Sequence, residues 1–259
     1  MEETIEITTL QINQEKNYAI VQIDNGKVNG ITTKLLADLK NTFRALEQDD
    51  ATKGIILTGR PHCFSAGINV KELALSTPEG VNQFWIEYHE ALQAMVRFSK
   101  PFICAITGFA PAGATILACT ADYRIMGKGE KHKIGMHEFK MSMQIPELLC
   151  DIYAYVLGEK VAWEAVQKAK LFSSDEALAV GLVNESVEVE EVMERAEKYM
   201  KRQVGVYGKV YSTSKRFFRK GLLVIVDRDF EPMLAEIRSD NEDPKVRQMM
   251  EMFLASLKK

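Results

Sequence analysis

The segment PFICAITGFAPAGATILA, residues 101–118, decides the fold class. It opens with an apolar run from Pro101 to Ile106 that follows a Lys-Pro break and is typical of a buried strand. Small residues come next, and an apolar stretch after them is compatible with a helix. The order predicts a strand that leads through a tight turn into a helix packed closely against the sheet.

The same alternation of strand and helix recurs on both sides of this segment. Apolar residues at helical spacing predict helices over 32–48 and 79–99, and a short buried strand over 54–58 lies between them. A further strand is predicted over 122–126. Alternation of this kind predicts an α/β fold with parallel strands and crossover helices.

The two ends of the chain differ in character. Alternating apolar and polar residues predict half-buried strands over 5–12 and 18–23. After Pro146 the pattern is almost continuously helical, with helices predicted over 161–169, 175–180, 189–201 and 245–257. The last of these has a wide apolar face, which either packs on its own domain or contacts another subunit.

The composition excludes several classes of protein. The chain has 259 residues, of which 46% are hydrophobic and 27% charged, so it can bury a full core and is not disordered. No apolar run approaches the roughly 20 residues of a membrane-spanning helix. The net charge of -3 provides no general field for a nucleic acid, and we expect neither a nucleic-acid nor a membrane partner.

The first residues and the cysteines suggest a compartment. Met1-Glu2-Glu3-Thr4 carries acids where a targeting segment would carry basic residues. We therefore expect a cytoplasmic protein, or a processed protein of the mitochondrial matrix or peroxisome if the source is eukaryotic. The four cysteines form no C-x-x-C pair, and no histidine spacing matches a metal site, so we expect no disulfide framework and no bound metal.

Two turns of small residues are candidates for a binding site. The first lies in Ser65-Ala66-Gly67-Ile68-Asn69 and the second in Ala110-Pro111-Ala112-Gly113. Each could be an ordinary strand-to-helix connection or a place of tight packing. Because the two turns occur on successive strand-helix units, one backbone N–H from each could converge on a single oxygen atom, as in an oxyanion hole.

Glu138 is the candidate acid-base residue. It lies in a mostly apolar stretch, Ile134-Gly135-Met136-His137-Glu138-Phe139-Lys140-Met141. A solvated surface glutamate is the ordinary interpretation. If the carboxyl group is instead buried among these neighbours, its pKa rises and it becomes a proton acceptor near neutral pH. The role of His137 stays open.

Taken together, these motifs resemble the crotonase, or enoyl-CoA hydratase/isomerase, superfamily over nearly the whole chain. The residues that carry the resemblance are 55–59, 64–69, 100–108, 121–125 and 176–183. The resemblance implies a crotonase-like spiral of repeated ββα/βαβ units. It also implies a core with the acyl-CoA site over residues 1–200 and a helical trimerisation region over residues 201–259.

The resemblance also implies a substrate, an assembly and a site. The substrate is an acyl-CoA thioester, with no separate cofactor, and the assembly is a homotrimer or a dimer of trimers. The N–H groups of Ala66 and Gly113 correspond to the oxyanion donors, and Glu138 to the catalytic acid. The positions implied in substrate binding are Ala66, Gly67, Ile68, Asn69, Val70, Ala112, Gly113, Ile116 and His137.

The acids distinguish the activities of this superfamily. Its hydratases place one glutamate shortly after the second oxyanion glycine and another downstream; here these positions hold Ile116 and Glu138. One carboxylate is sufficient to move a double bond, because a proton is only removed from C2 and returned at C4. The motifs are most similar to Δ3,Δ2-enoyl-CoA isomerases of the mitochondrial type.

Other activities stay open. A dienoyl-CoA isomerase would need further acids, for which Glu147 is the candidate, and a hydratase, a decarboxylase or a non-catalytic acyl-CoA-binding relative could share the scaffold. The sequence also departs from the family pattern. Asn69 stands where an aspartate is usual, Ala114 replaces a glycine common in hydratases, and Ser256 occupies the place of a phosphate-contacting lysine.

Overall fold

A computed structural model of the protein describes residues 9–14 and 16–256, and the described strands form two sheets. These strands are β1 (Leu10–Asn13), β2 (Ala19–Ile23), β3 (Ile55–Thr58), β4 (His62–Cys63), β5 (Phe102–Ile106), β6 (Gly108–Pro111), β7 (Tyr123–Gly127), β8 (Ile134–Gly135) and β9 (Glu185–Val187). The larger sheet has the order β1-β2-β3-β5-β7-β9, and only the β1–β2 pair in it is antiparallel. The smaller sheet, β4-β6-β8, is parallel throughout.

Helices surround the two sheets. They are α1 (Thr33–Gln48), α2 (Val70–Leu75), α3 (Pro78–Arg97), α4 (Gly113–Cys119), α5 (Glu147–Leu157), α6 (Glu159–Gln167), α7 (Ser174–Ala179), α8 (Val192–Gln203), α9 (Gly208–Phe218), α10 (Lys220–Val226), α11 (Glu231–Glu242) and α12 (Pro244–Ser256). The α/β class predicted from the alternation is confirmed.

The central strands are buried on both faces, which explains their uninterrupted apolar sequences. On β5, Phe102, Cys104 and Ile106 face the larger core cluster, which α1 and α3 help to form. Ile103 and Ala105 face the opposite side, where α8 packs against them. The sheet therefore lies between two helical layers, as expected for parallel strands joined by crossover helices.

Several predicted elements agree closely with the structure. The helix predicted over 32–48 begins at Thr33, and the Thr32 side chain caps it by accepting a hydrogen bond from Leu35 N–H. The helix predicted over 79–99 spans Pro78–Arg97. Part of the first predicted strand, residues 5–8, and the end of the last predicted helix, Leu257, lie outside the described residues.

A buried charge cluster joins the C-terminal helices to the core. Asp122, just before β7, accepts hydrogen bonds from Lys215 Nζ (2.7 Å), Arg219 (2.5 Å) and Tyr211 Oη (3.1 Å). Burial lowers the pKa of Lys215 to about 8, while the Asp122 carboxylate opposes this shift. The chain is helical from α9 to α12; the trimerisation role of residues 201–259 and the functional division at residue 200 stay predictions.

Candidate active site

The three strands of the small sheet deliver three chain segments to one edge. β4 leads into Ala66-Gly67-Ile68, β6 leads into Ala112-Gly113, and β8 leads into His137-Glu138. Because the strands are parallel, their carboxyl ends lie side by side. The structure thus brings together both predicted turns and the predicted acid, although they are separated by up to about seventy residues in the sequence.

In the first turn, the structure contradicts the predicted role of the Ala66 N–H group. The N–H of Ala66 donates a hydrogen bond to the Val28 carbonyl oxygen at 3.0 Å, so it is not available to a ligand. This contradicts the prediction that Ala66 is an oxyanion donor. Two residues later, the N–H of Ile68 donates to no acceptor within the described part of the chain.

The direction of the Ile68 N–H follows from a parallel bridge between Ile68 and Ile31. Ile31 N–H donates to Gly67 O (2.8 Å), and Asn69 N–H donates to Ile31 O (2.9 Å). Backbone groups alternate along an extended segment, so the N–H of Ile68 points away from Ile31. The segment that contains Gly113 also packs here, since a Cβ added to Gly67 would lie 3.6 Å from Gly113 N.

The second turn contains a strained residue. Ala112 has φ 54° and ψ -126°, a conformation that L-residues rarely adopt. Its own N–H donates to Gly135 O at 2.8 Å, which fixes the turn to β8. Gly113 is the first residue of α4, where a backbone N–H has no acceptor inside the helix. The strained turn therefore leaves the Gly113 N–H available beside the first turn.

Glu138 begins a short 3-10 helix, Glu138–Met141, and two residues separate it from the end of β8. Burial raises the pKa of its carboxyl group from 4.5 to about 7, although hydrogen bonding to the backbone of Glu138 and His137 opposes this rise. Its Oε2 atom is buried and has no hydrogen-bond partner in the described structure. The Glu138 carboxyl group is therefore largely buried, which is the condition under which the sequence analysis expects it to accept a proton near neutral pH.

Tyr88 connects the acid with the second turn. Its hydroxyl group, which is buried, donates to the carbonyl oxygen of Gly113 at 2.9 Å. The charge of Glu138 is one of the causes that raise the pKa of Tyr88. Tyr88 therefore lies close to both Gly113 and Glu138. In the sequence Tyr88 has the helical spacing of an ordinary core residue, and no local motif identifies its hydroxyl group.

Of the other predicted substrate-binding positions, Gly67 and Ile116 lie in the turn and helix of the candidate site, whereas Asn69 and Val70 form the start of α2. Gly67, with φ 85°, lies at the first turn, while Ile116 is fully buried in α4. Asn69 has a local structural role, because its side chain caps α2 by accepting a hydrogen bond from Glu72 N–H at 3.3 Å; Val70 is the first residue of that helix.

His137 is half-buried, and its Nδ1 atom is buried without a hydrogen-bond partner among the described residues. Desolvation, aided by the charge of Lys140, lowers the pKa of His137, so its imidazole is neutral at pH 7. Glu147, the candidate second acid, is exposed and pairs with Arg228 at 3.2 Å. It therefore lies on the surface and not beside Glu138.

An apolar cavity of about 240 Å³ adjoins these segments, and we call it the tail cavity. It is lined on one side by residues that follow Glu138, including Met143, whose N–H donates to Glu138 O at 3.1 Å. On the other side lies Trp85, whose ring is 5.8 Å from that of Tyr88. Further lining residues are Leu73, Val81, Ile237, Val246 and Met249. A larger cavity of about 600 Å³ lies beside Asp122 and shares no lining residue with the three segments.

The arrangement can stabilise an anion and move a proton. Two backbone N–H groups without acceptors suit an oxygen atom that gains negative charge during a reaction. A carboxyl group with a pKa of about 7 can accept and return a proton near neutral pH. Across the described residues, no group of three or more His, Cys, Asp or Glu side chains is placed to hold a metal ion, and no helix is long and apolar enough to cross a membrane.

Known proteins share this sequence pattern and fold. The enoyl-CoA delta isomerase 1, mitochondrial, of Rattus norvegicus is 29% identical over 245 residues, which cover 94% of this chain and 85% of that protein. A short-chain-enoyl-CoA hydratase of Clostridium acetobutylicum is 26% identical over 226 residues, which cover 86% of this chain and 85% of the hydratase.

Among solved structures, the crystal structure of human mitochondrial delta3-delta2-enoyl-CoA isomerase matches with a TM-score of 0.92 and 26% identity. The match covers 96% of this chain and 98% of that one, and it confirms the predicted crotonase-like fold with its C-terminal helices. The model of the enoyl-CoA hydratase/isomerase family matches residues 13–253. Since this match spans most of the sequence, the chain belongs to the enoyl-CoA hydratase/isomerase family.

Proposed function

We propose that the protein is an enoyl-CoA isomerase that converts a 3-enoyl-CoA into the 2-trans-enoyl-CoA. The observation that carries this proposal is a single desolvated carboxyl group, that of Glu138, at the same sheet edge as two backbone N–H groups without acceptors. The thioester oxygen would accept hydrogen bonds from Ile68 N–H and Gly113 N–H. These donors stabilise the negative charge that develops on that oxygen.

Glu138 would move one proton between two carbon atoms. The carboxylate removes the proton from C2, and the electron pair of the broken C–H bond forms a dienolate with the thioester carbonyl and the C3–C4 double bond. The protonated Glu138 then donates the same proton to C4, and the double bond is left between C2 and C3. A pKa of about 7 suits both steps, because neither proton uptake nor proton release is strongly unfavourable near neutral pH.

The side chain at position 116 favours isomerisation over hydration. Hydration needs a water molecule to be activated as well as a proton to be delivered, and hydratases of this superfamily share that work between two glutamates. Here Ile116 is apolar and fully buried. Glu147 is exposed and paired with Arg228, so it supplies neither the second acid of a hydratase nor an extra acid of a dienoyl-CoA isomerase.

The tail cavity gives the acyl chain a place to bind. Its lining is mainly apolar, and it begins beside Trp85 and Met143, which neighbour Tyr88 and Glu138 respectively. An acyl chain that extends from the thioester past Glu138 would bury apolar surface there. We propose that the acyl chain is carried by coenzyme A because the family description and the names of the related isomerases specify enoyl-CoA.

We also propose that copies of the chain associate, through a surface that we call the C-terminal apolar surface. It comprises exposed apolar side chains of α9, α10 and the turn before α9: Val206, Tyr207, Val210, Phe217, Phe218 and Val224. Phe218 is 87% exposed and Tyr207 is 73% exposed. Val206, Val210 and Phe218 line one cavity, and grouped apolar residues at such exposure are typical of an interface between proteins.

Replacement of the acid tests the reaction. We expect Glu138→Gln to reduce the rate of 3-enoyl-CoA isomerisation by roughly 10²–10⁴-fold, because the amide cannot accept the C2 proton. The rate is measured as the rise in absorbance of the conjugated thioester. The matched control is Glu147→Gln, which removes an exposed acid and should leave the rate unchanged. An active Glu138→Gln variant would refute the assignment.

The raised pKa of Glu138 also predicts a pH dependence of stability. The folded protein holds this proton up to a pH of about 7, whereas the unfolded chain releases it near 4.5, so ionisation destabilises the fold as pH rises between these values. Relative to wild type, Glu138→Gln should gain on the order of 3 kcal/mol in free energy of unfolding between pH 4 and pH 8. Denaturant titrations at both pH values measure this gain. An equal difference at the two pH values would show that the carboxyl group is not desolvated.

Filling the tail cavity should change chain-length preference. In Val81→Trp the larger ring would occupy space next to Trp85. We expect the KM for 3-dodecenoyl-CoA to rise by about tenfold or more, while the KM for 3-hexenoyl-CoA changes little. Steady-state kinetics with both substrates measure the effect, and Leu178→Trp on the exposed face of α7 is the control. If both substrates respond equally, the acyl chain does not bind in this cavity.

Light scattering tests the proposed association. We expect wild-type protein to have three or six times the mass of a single 29.2 kDa chain. The double variant Phe217→Asp, Phe218→Asp should shift this mass towards that of one chain, because charged side chains would be buried in the interface. Leu178→Asp introduces one negative charge at an exposed apolar residue outside this surface and should leave the mass unchanged. A monomeric wild-type protein would contradict the proposal.

A further inference from the structure

The Gly113 N–H group belongs to a peptide unit that is held in a strained orientation. The peptide between Ala112 and Gly113 is planar, so its orientation depends on the ψ angle of Ala112. Ala112 has φ 54° and ψ -126°. A half-turn of the peptide would bring this ψ to about 54°, close to the left-handed helical region, which is a less strained conformation. The same half-turn would replace the N–H group by the Ala112 carbonyl group.

Gly113 does not by itself prevent this half-turn. It begins α4 with a helical backbone, so the half-turn would make its φ positive, and glycine adopts positive φ without steric cost. In other residues the Cβ atom opposes such a conformation, because the preceding carbonyl group would approach it. Ile116 N–H donates to Ala112 O at 3.3 Å, which is longer than is usual for an N–H···O bond. A stronger restraint has to come from outside α4.

The Tyr88 hydroxyl group restrains Gly113 in two ways. It donates a hydrogen bond to Gly113 O at 2.9 Å. It also occupies the space beside the α-carbon, since a Cβ added to Gly113 would lie 2.8 Å from Tyr88 Oη and 3.0 Å from Ile68 Cγ1. The hydroxyl group and the Ile68 side chain therefore lie on the side to which the preceding carbonyl group would have to turn. Tyr88 restricts Gly113 as a side chain of its own would.

The Tyr88 ring is itself fixed in the core. Tyr88 lies within α3, is only 1% exposed, and its ring centroid is 5.8 Å from that of Trp85 and 6.0 Å from that of Phe84. Burial, together with the charge of Glu138, raises the pKa of Tyr88 well above its ordinary value of 10. The hydroxyl group therefore keeps its proton near neutral pH and stays a hydrogen-bond donor.

We propose that Tyr88 is a positioning residue that keeps the Gly113 N–H group directed at the thioester oxygen of the substrate. This inference rests on the proposed function, in which Gly113 N–H is an oxyanion donor. Tyr88 acts through its hydrogen bond to Gly113 O and takes no part in the transfer of the proton. Because the negative charge on the thioester oxygen develops during the reaction, a misdirected donor slows the reaction more than it weakens substrate binding.

Tyr88→Phe tests this role in catalysis. We expect kcat for 3-enoyl-CoA isomerisation to fall roughly tenfold, which is part of the 10²–10³-fold loss typical for removal of an oxyanion donor, and KM to change by less than about twofold. The matched control is Tyr18→Phe, because Tyr18 is also buried and its hydroxyl group donates to Glu197 Oε2 at 2.9 Å. The control should change neither quantity. An unchanged kcat in Tyr88→Phe, or an equal loss in Tyr18→Phe, would overturn the inference.

An NMR measurement tests the contact without an assay of activity. Gly113-Ala114 is the only Gly-Ala pair in the sequence, so protein labelled with 13C-carbonyl glycine and 15N-alanine gives a single carbonyl–amide correlation, which reports on the Gly113 carbonyl group. The carbonyl signal should move upfield in Tyr88→Phe, because the oxygen loses a donor, and should stay in place in Tyr18→Phe. A signal that Tyr88→Phe leaves unmoved would contradict the inference.

The same signal decides the question if Tyr88→Phe does not fold. A 3-fluorotyrosine at position 88 keeps the ring and the hydroxyl group and is a stronger donor, so the Gly113 carbonyl signal should move downfield; an unchanged position would overturn the inference. Wild-type protein without isomerase activity would refute the proposed function and the role of Tyr88 with it. A carbonyl signal that still responds to Tyr88→Phe would then identify the function, and not the contact, as the error.

Discussion

The small parallel sheet β4-β6-β8 is the constraint on which the candidate site depends. Its strands contain two to four residues, so few ladder hydrogen bonds hold it together. The buried Thr115 hydroxyl reinforces it by donating to Ala110 O (2.7 Å) and accepting from Gly135 N–H (2.8 Å), which ties α4 to both β6 and β8. Gly108 is also required, since a Cβ there would lie 2.0 Å from the His62 carbonyl carbon. These contacts fix where the three strand ends meet.

Two glutamates of this chain show how surroundings set proton affinity. Glu176 lies on the surface, where hydrogen bonds from Lys170 and the Ser173 backbone lower its pKa to about 2. Within the described ranges no cation offsets the desolvation of the Glu138 carboxyl group, and its pKa rises to about 7. The carboxyl group is the same in both cases, so the difference comes from burial and from partners. A base that titrates near neutral pH therefore needs apolar packing and few hydrogen-bond donors around its carboxyl group.

The sequence predicts β1, β2, β3, β5 and β7 of the large sheet and crossover helices such as α1, because these elements have regular apolar patterns. It does not predict β4, β6, β8 and β9, since these strands of two to four residues carry no distinctive apolar pattern. The sequence also cannot show that the free backbone N–H of the first turn belongs to Ile68 and not to Ala66. The Val28 carbonyl oxygen that accepts the hydrogen bond from Ala66 N–H lies 38 residues away in the sequence, in a loop with no recognisable motif. Tyr88 has the sequence pattern of a core residue, because only the position of its hydroxyl group, which donates to Gly113 O, distinguishes it.

The C-terminal helices present apolar residues in two different places, which the sequence pattern alone does not distinguish. The apolar face of the last helix was compatible with packing on its own chain or on another subunit. In the structure, Val246 and Met249 of α12 line the tail cavity opposite Trp85, so this helix completes a cavity of its own chain. The apolar residues of α9 stay exposed, while the same helix is held to the core by the buried pair of Lys215 and Asp122. Because this contact holds α9 in place without a partner, the proposed association would require little ordering of the helix, which would lower its entropic cost.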